Sequence, residues 1–315
     1  MRLTKDTSIF VAGHRGMVGA AITAALSTRG YRNLLLRAHA ELDLTEQTAV
    51  RDFFRQERPQ VVILAAAKVG GIKANSSDPA LFIRDNLAIQ QNVIDASHRV
   101  GTGKLVFLGS SCIYPRLAPQ PIKEEYLLTG PLEPTNEWYA VAKIAGIKMG
   151  QAYRRQYGLS AISLMPTNLY GPGDNFDPEN AHVVPALLRR FHEASLQRAE
   201  RVVVWGTGTA RREFLHVSDL AEAVVLLMER YDEEQIINVG SGEEVTIREL
   251  CDMIATTTGF SGRIEFDVSR PDGTPRKLLD NTRVSALGWR PKIGLRQGLA
   301  QLYDWYRLNL DRLRA

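Results

Sequence analysis

The sequence is poor in several features that would mark particular classes of protein. Its 315 residues include only two cysteines, Cys112 and Cys251, so a disulfide framework and a four-thiolate metal site are excluded. The longest apolar run, residues 61–67, is far shorter than the ~20 residues that span a bilayer. No run of five or more Lys or Arg occurs, so no nucleic-acid footprint is present. We expect a cytoplasmic protein without a metal, nucleic-acid or membrane partner.

The composition is that of a large globular protein. Hydrophobic residues make up 44% of the chain and charged residues 23%, which excludes a disordered or fibrous protein. At ~150 residues per domain the length allows about two domains. The formal net charge of +4 suits a protein that holds phosphorylated small molecules, although proteins with other functions share it.

Short apolar segments alternate with helical patterns in the first half of the chain. Because the strands are apolar on both faces, they predict a parallel sheet covered by helices on each side. Right-handed crossovers then make this an α/β fold with a doubly wound parallel sheet, the Rossmann arrangement. The predicted strands are 8–12, 34–36, 61–65, 105–108 and 161–164, and the predicted helices are 17–29, 46–57 with Thr45 as N-cap, 79–99 and 136–157.

The pattern changes after residue 166. Gly, Pro, Asn and Asp dominate residues 170–180, and loops of this length are commonly functional. Shorter strands and helices follow and predict a smaller C-terminal α/β substrate lobe. The predicted boundaries are 1–169 for the cofactor domain and 170–315 for the lobe, with a segment near 206–230 returning to the first domain.

A glycine turn follows the first predicted strand. It reads Gly13-His14-Arg15-Gly16-Met17-Val18-Gly19 and opens the first helix. Glycines at this spacing permit a tight turn and close approach of a pyrophosphate, while the helix N-terminus supplies N–H groups. The turn therefore predicts dinucleotide binding, and the alternative is a glycine-rich turn without a ligand.

The end of the second strand indicates which dinucleotide. Arg37 stands there in place of an acidic residue, and Arg15 lies within reach of the same ribose. Guanidinium groups match phosphate oxygens, which favours NADP(H). The alternatives are that Arg37 is only a solvated strand end, or that Asp43 contacts the ribose.

Three further residue types suggest catalysis. Tyr139 and Lys143 lie four residues apart on one helix face, where an ammonium assists proton transfer by the phenol. Ser110-Ser111-Cys112 ends the fourth strand, at the sheet edge where such folds hold ligands. The glycine turn, the serine after the fourth strand, and the Tyr139–Lys143 pair together indicate a catalytic site much more specifically than any one of them alone.

Several stretches together resemble the extended short-chain dehydrogenases/reductases that act on nucleotide sugars. More narrowly they resemble the family of GDP-4-keto-6-deoxy-D-mannose 3,5-epimerase/4-reductases, the GDP-L-fucose synthases. The resemblance covers about residues 6–310 and implies NADP(H), the substrate GDP-4-keto-6-deoxy-D-mannose and a homodimer. The matching stretches are 11–19, 65–72, 109–115, 139–146, 166–172, 182–191 and 271–277.

The resemblance also implies a role for individual residues. Cys112 is the base and His182 the acid of epimerisation, and thiol and imidazole groups both titrate near neutrality. Ser110 and Tyr139 stabilise the enolate, Tyr139 then donates the proton of reduction, and Lys143 holds the nicotinamide ribose.

Two sets of binding residues follow. Beyond the turn and Arg37, the implied cofactor contacts are Ala66, Leu108, Gly109, Ser110, Ser111, Tyr139, Lys143, Pro166, Thr167, Asn168, Leu169 and His182. The implied substrate contacts are Arg190, Trp205, Arg212 and Asp272.

Other interpretations stay open at this point. Cys112 could be a small buried residue, His182 a residue that only begins a helix, and Trp205 a core residue. Arg189 could contact the substrate instead of Arg190, and Arg211 could do so instead of Arg212. A nucleotide-sugar 4-epimerase, 4,6-dehydratase or 4-reductase is a second possible enzyme. A non-catalytic dinucleotide-binding protein is a third reading.

Overall fold

A computed structural model of the chain describes residues 3–177, 180–270 and 273–313. The helices are α1 Met17–Thr28, α2 Gln47–Glu57, α3 Ile72–Ser77, α4 Pro79–Arg99, α5 Glu137–Tyr157, α6 Val183–Leu196, α7 Val217–Arg230, α8 Ile247–Thr258, α9 Thr282–Ala286, α10 Leu295–Leu308 and α11 Leu310–Leu313. The strands are β1 Ile9–Ala12, β2 Leu34–Leu35, β3 Val61–Leu64, β4 Lys104–Leu108, β5 Ala161–Pro166, β6 Asn168–Tyr170, β7 Arg201–Trp205, β8 Arg211–His216, β9 Ile237–Val239, β10 Glu244–Thr246, β11 Arg263–Asp267 and β12 Arg276–Lys277.

Six parallel strands form the main sheet, in the order β2-β1-β3-β4-β5-β9. The order reverses direction between β1 and β3, as in a doubly wound sheet. Every residue of β1, β3, β4 and β5 is buried, because helices cover both faces. The predicted α/β fold is confirmed.

The two faces of this sheet carry separate apolar cores. On one face, Ile22 and Leu26 of α1 pack with Leu220 and Val224 of α7. On the other face, residues from α2, α4 and α5 pack against alternate residues of the same strands. The core buries these strands so completely that their register is strongly specified.

A smaller lobe lies beyond the sheet. Strand β8 pairs with β6, β10 and β12, and β7 pairs with β11. Its own apolar core gathers side chains from α6, α8 and α10. The chain returns to the main sheet through α7, which covers one face, and β9, which forms one edge.

Two local features differ from the sequence-based expectation. Helix α2 begins at Gln47 with Glu46 as N-cap, so the prediction of Thr45 as the cap was wrong. The Thr45 hydroxyl instead donates to Asp43 Oδ1 at 2.8 Å, because an Asx turn precedes the helix. Strand β8 was not predicted, since its residues Arg211 and Arg212 are polar.

The long loop after β6 contains a buried carboxyl group. Asp174 is 6% exposed, its Oδ1 accepts a hydrogen bond from the Asn175 amide, and its Oδ2 has no partner among the described residues. Burial raises the pKa of Asp174 from 3.8 to about 7. The protonated form is therefore favoured in the folded chain.

We expect Asp174 to make stability fall as pH rises. Its contribution is complete below about pH 4 and is lost as pH approaches about 7, by roughly 4 kcal/mol at most. The Asp174→Asn variant has no carboxyl group to titrate. Its unfolding free energy minus that of the wild type should therefore increase from about pH 5 to about pH 8. Urea unfolding at both values measures this, with exposed Asp6→Asn as control. An equal difference at both values would contradict the assignment.

No helix in the described part of the chain combines the length and apolar character that a membrane crossing requires.

Candidate active site

The carboxyl ends of β1, β3, β4 and β5 meet at one edge of the main sheet. The glycine turn follows β1, and Gly13 has φ +86, which favours glycine. A Cβ on Gly13 would lie 2.8 Å from the Ala66 backbone, and one on Gly19 would lie 2.1 Å from the Gly13 carbonyl oxygen. Only glycine permits so close an approach of the turn to α1 and to the residues that follow β3. The glycine turn and Ala66, which were both predicted to contact the cofactor, therefore lie side by side.

The turn presents the N-terminus of α1 at the surface. Gly16 is the N-cap and the first turn of the 12-residue helix has no acidic side chain. Arg15 and Gly16 are exposed, while His14, Met17 and Val18 are partly buried. The first helical amides lack intrahelical acceptors, and the helix dipole favours an anion at this position.

Arg37 lies just beyond β2 and is held in place. Its Nη2 donates to Glu57 Oε1 at 2.7 Å, and its Nη1 donates to the Leu36 carbonyl oxygen. The guanidinium also lies over the Phe53 ring, 5.4 Å from the centroid. These contacts orient Arg37 at the edge where the second ribose of a dinucleotide lies in such folds.

The ends of β4 and β5 bring the remaining predicted cofactor residues to the same edge. Leu108 ends β4, Gly109 and Ser111 lie one and three residues beyond it, and all three are buried. Beyond β5, the side chains of Thr167 and Asn168 both donate to the Glu213 carbonyl oxygen. The predicted segment 166–169 is thus fastened to β8 of the lobe.

Lys143 reaches the sheet edge from α5. It is 3% exposed, and its ammonium donates to the Leu108 carbonyl oxygen at 2.8 Å. Burial lowers the pKa of Lys143 to about 7. Its Nζ lies 5.8 Å from the centroid of the Tyr139 ring, as expected for residues one helical turn apart.

Ser110, Cys112 and Tyr139 form a connected group. Ser110 caps the 3₁₀ turn Ser111–Ile113, and its Oγ accepts from the Cys112 amide at 3.2 Å. Burial raises the pKa of Tyr139, the Cys112 sulfur raises it further, and a hydrogen bond with the Ser110 side chain opposes both. The phenol therefore stays protonated at neutral pH.

His182 belongs to the smaller lobe rather than to the main sheet. It is the N-cap of α6, and the preceding loop is fastened where the Gly71 amide donates to the Asn180 carbonyl oxygen. Although His182 is exposed as a whole residue, partial desolvation of its ring by the surrounding atoms lowers its pKa, and the positive charge of Lys277 lowers it further. The Lys277 ammonium also donates to Cys112 Sγ at 3.5 Å. Lys277 thus contacts Cys112 and acts electrostatically on His182.

A small, open cavity lies beside Cys112 and Lys277. Cys112 and Lys277 line it, together with Asn136, Glu133 and Arg116. The Asn136 Oδ1 atom is buried and has no partner among the described residues. This concave space therefore adjoins the catalytic candidate Cys112.

The predicted substrate residues lie in the lobe, in two groups. Arg190 donates to the Val203 carbonyl oxygen on β7, the strand that ends in Trp205. Trp205 is 64% exposed, so it is not a core residue. Arg212 on β8 lies in register with Lys277 on β12, close to the cavity. Asp272 lies outside the described residues.

The sequence analysis missed Lys277 and Asn136. Lys277 is the last residue of the matching stretch 271–277. No residue spacing could reveal that it faces Cys112, which lies 165 positions earlier. Asn136 lies three residues before Tyr139, and its buried, unpartnered oxygen becomes visible only in the folded chain.

Known proteins resemble this chain over most of its length. The model of the NAD dependent epimerase/dehydratase family matches residues 9–240. The chain belongs to this family. The match covers the main sheet, the glycine turn and the Tyr139–Lys143 pair of the epimerase/dehydratase fold.

Individual members of the epimerase/dehydratase family are similar over nearly their whole length. GDP-L-fucose synthase 1 of Arabidopsis thaliana is 62% identical over 306 residues, which are 97% of this chain and 95% of that protein. GDP-L-fucose synthase of Escherichia coli K12 is 57% identical, covering 98% of each. A solved GDP-L-fucose synthetase from Naegleria fowleri bound to NADP has TM-score 0.92 and 28% identity, covering 100% of this chain and 98% of that one.

Proposed function

We infer that the chain is a GDP-L-fucose synthase, an NADP-dependent oxidoreductase that also has epimerase activity. The relatives at 57% and 62% identity carry that name. The observation that carries the inference is structural. Cys112 and Lys277 line one cavity and lie 3.5 Å apart, and the side chains of Ser110 and Tyr139 lie next to Cys112.

We propose GDP-4-keto-6-deoxy-D-mannose as the substrate. Arg190, Trp205 and Arg212 are the proposed contacts of the GDP portion. Trp205 offers a flat exposed face for a base, and Arg212 suits a diphosphate. The cavity beside Cys112 then receives the hexose.

The residues at the sheet edge fit NADP(H). Gly13 and Gly19 leave no room for a side chain at their positions in the turn, and α1 directs its first amides outward beside Arg15. Lys143 is buried at the end of β4, where it would bind the nicotinamide ribose. The bound cofactor supplies the hydride for reduction at C4.

Epimerisation is proton transfer by the protein's own groups. Cys112 as thiolate removes the proton from C3 or C5, and the electron pair moves onto the C4 oxygen. Ser110 and Tyr139 donate hydrogen bonds to that oxygen, as an oxyanion hole does. His182 returns a proton from the opposite side, which inverts the carbon.

Reduction uses Tyr139. Since its phenol keeps its proton at neutral pH, it can donate that proton to the C4 oxygen as the hydride arrives. Ser110 holds the same oxygen, and Lys143 helps through its position one turn away.

The deciding experiment mixes the protein, NADPH and GDP-4-keto-6-deoxy-D-mannose, follows NADPH absorbance and identifies the product by NMR. We expect NADPH consumption and GDP-L-fucose. An unepimerised 4-reduced sugar would remove the epimerase roles of Cys112 and His182. No consumption, with tightly bound NAD released on denaturation, would favour a 4-epimerase or 4,6-dehydratase.

Arg37→Ala tests the cofactor preference. Losing a guanidinium beside the 2′-phosphate should narrow the preference for NADPH over NADH by roughly tenfold to a hundredfold. The ratio of kcat/KM for the two cofactors measures it. Glu57→Gln keeps Arg37 and serves as control. An unchanged ratio in Arg37→Ala would move the 2′-phosphate contact elsewhere, with Arg15 the next residue to test.

Two further proposals, on the oligomeric state and the location, rest on the sequence alone. A homodimer follows from the resemblance alone, with α4 and α5 as the expected interface. A cytoplasmic location follows from the composition.

A further inference from the structure

One cation contacts the group proposed to take a proton from the substrate, and it acts electrostatically on the group proposed to return one. The Lys277 ammonium is 3.5 Å from Cys112 Sγ. The same charge lowers the pKa of His182. The lysine comes from the lobe, whereas Cys112 follows β4 of the main sheet, so the folded chain brings them together across the cavity.

The backbone around Lys277 is held from several sides. Strand β12 pairs in parallel with β8, and neighbouring Arg276 binds the Glu244 carboxylate. The next two amides, of Leu278 and Leu279, donate to Gln120 Oε1 and Glu213 Oε2 at 2.9 and 3.1 Å. The strand therefore directs the lysine at the cavity with little freedom.

The other charged groups of the cavity already have partners. The Glu133 carboxylate accepts from Arg116 at 3.2 Å and from Thr274 at 3.1 Å. Arg276 is paired with Glu244. Tyr139 is a neutral phenol at neutral pH. The charge of Lys277 thus faces the sulfur and the imidazole.

We propose that Lys277 is a positioning residue for epimerisation, whose ammonium stabilises the Cys112 thiolate. This inference rests on the proposed function. A cation at this distance stabilises a thiolate, and it repels an imidazolium. Both effects favour proton transfer from the substrate carbon to Cys112 and from His182 to the same carbon.

The proton balance follows. The thiolate takes one proton from carbon and becomes a thiol, and the electron pair moves to the C4 oxygen. The His182 imidazolium gives one proton to the opposite face of that carbon and becomes neutral. Lys277 keeps its proton throughout. After the step the positive charge faces two neutral groups, and exchange with solvent restores both.

Alkylation of Cys112 by iodoacetamide tests this without substrate. The second thiol, Cys251, is fully buried and burial raises its pKa to about 12, so Cys112 is the reactive group. At neutral pH, Lys277→Met should slow alkylation roughly tenfold, and Lys277→Arg should restore most of the rate. Lys148→Met removes a charge from the exposed face of α5 and should leave the rate unchanged.

The variants separate charge from structure. Lys277→Gln is a second neutral variant, used if Lys277→Met fails to fold as judged by circular dichroism. A wild-type alkylation rate in the neutral variant would overturn the proposal. So would an equal loss in Lys277→Arg, because charge would then not be the cause.

Substrate-dependent exchange provides the second readout. In deuterated water, the neutral variant should lose C3 and C5 exchange at saturating substrate, a fall in kcat rather than a rise in KM. A rise in KM alone would overturn the proposal by making Lys277 a substrate contact. Failure of the proposed function is distinguishable, since the wild type would then not exchange while the alkylation difference would remain.

Discussion

Cys112→Ser should bind NADPH normally and lose nearly all GDP-L-fucose formation. A serine hydroxyl at neutral pH is far less ionised than a thiol beside an ammonium, so it is a much weaker base. The expected loss of C3 and C5 proton exchange is on the order of a thousandfold. Exchange is measured by NMR in deuterated water, and NADPH binding by fluorescence.

The control for this variant is the other cysteine. Cys251 lies in the core of the lobe, 0% exposed, so Cys251→Ala should keep exchange and lose only stability. GDP-L-fucose formation at the normal rate by Cys112→Ser would show that Cys112 is not the base. A 4-reduced, unepimerised product would still be compatible with an intact reductase.

Tyr139→Phe should abolish reduction while leaving slow C3 and C5 exchange. The phenylalanine ring fills the same space but has no proton to give, and the C4 oxygen keeps only the Ser110 hydrogen bond. We expect hydride transfer to fall by about a thousandfold, within the usual range for a lost general acid. NADPH absorbance measures reduction, and deuterium incorporation measures exchange in the same sample.

A matched control separates this effect from packing. Tyr153 lies later on the same helix and donates to Asp95 at 3.2 Å, so Tyr153→Phe changes a phenol outside the site. It should keep full reductase activity. An unaffected reductase rate in Tyr139→Phe would sink the assignment of Tyr139 as proton donor.

We expect Lys143 to assist the proton transfer by Tyr139. Its buried ammonium has a pKa near 7, and it borders the phenol that transfers the proton. Removing it would weaken both ribose binding and proton transfer, so its effect is less specific than that of Tyr139.

The main sheet was predictable because its signals are local. Its strands are short apolar runs such as 61–65, and the helices between them carry regular apolar spacing. The glycine turn could be recognised from spacing, since glycine is required wherever φ is positive or backbones approach closely. The fold and the cofactor edge therefore followed from short stretches.

The lobe was harder to predict for a physical reason. β8 begins with Arg211 and Arg212, and β12 consists of Arg276 and Lys277, so neither shows an apolar pattern. These strands form because their backbones pair with strands distant in sequence. Likewise, Thr45 resembles an N-cap, but Asp43 takes its hydroxyl, and the helix begins later.

The fold class, the cofactor turn and the residue types of the catalytic group could be inferred from the amino-acid sequence. Each depends on neighbours within a few turns of chain or on one recognisable stretch. The folded chain was needed to show that Lys277 of the lobe stands 3.5 Å from Cys112 and lowers the pKa of His182. Charges act through space, and the fold alone sets the distances between residues 165 positions apart.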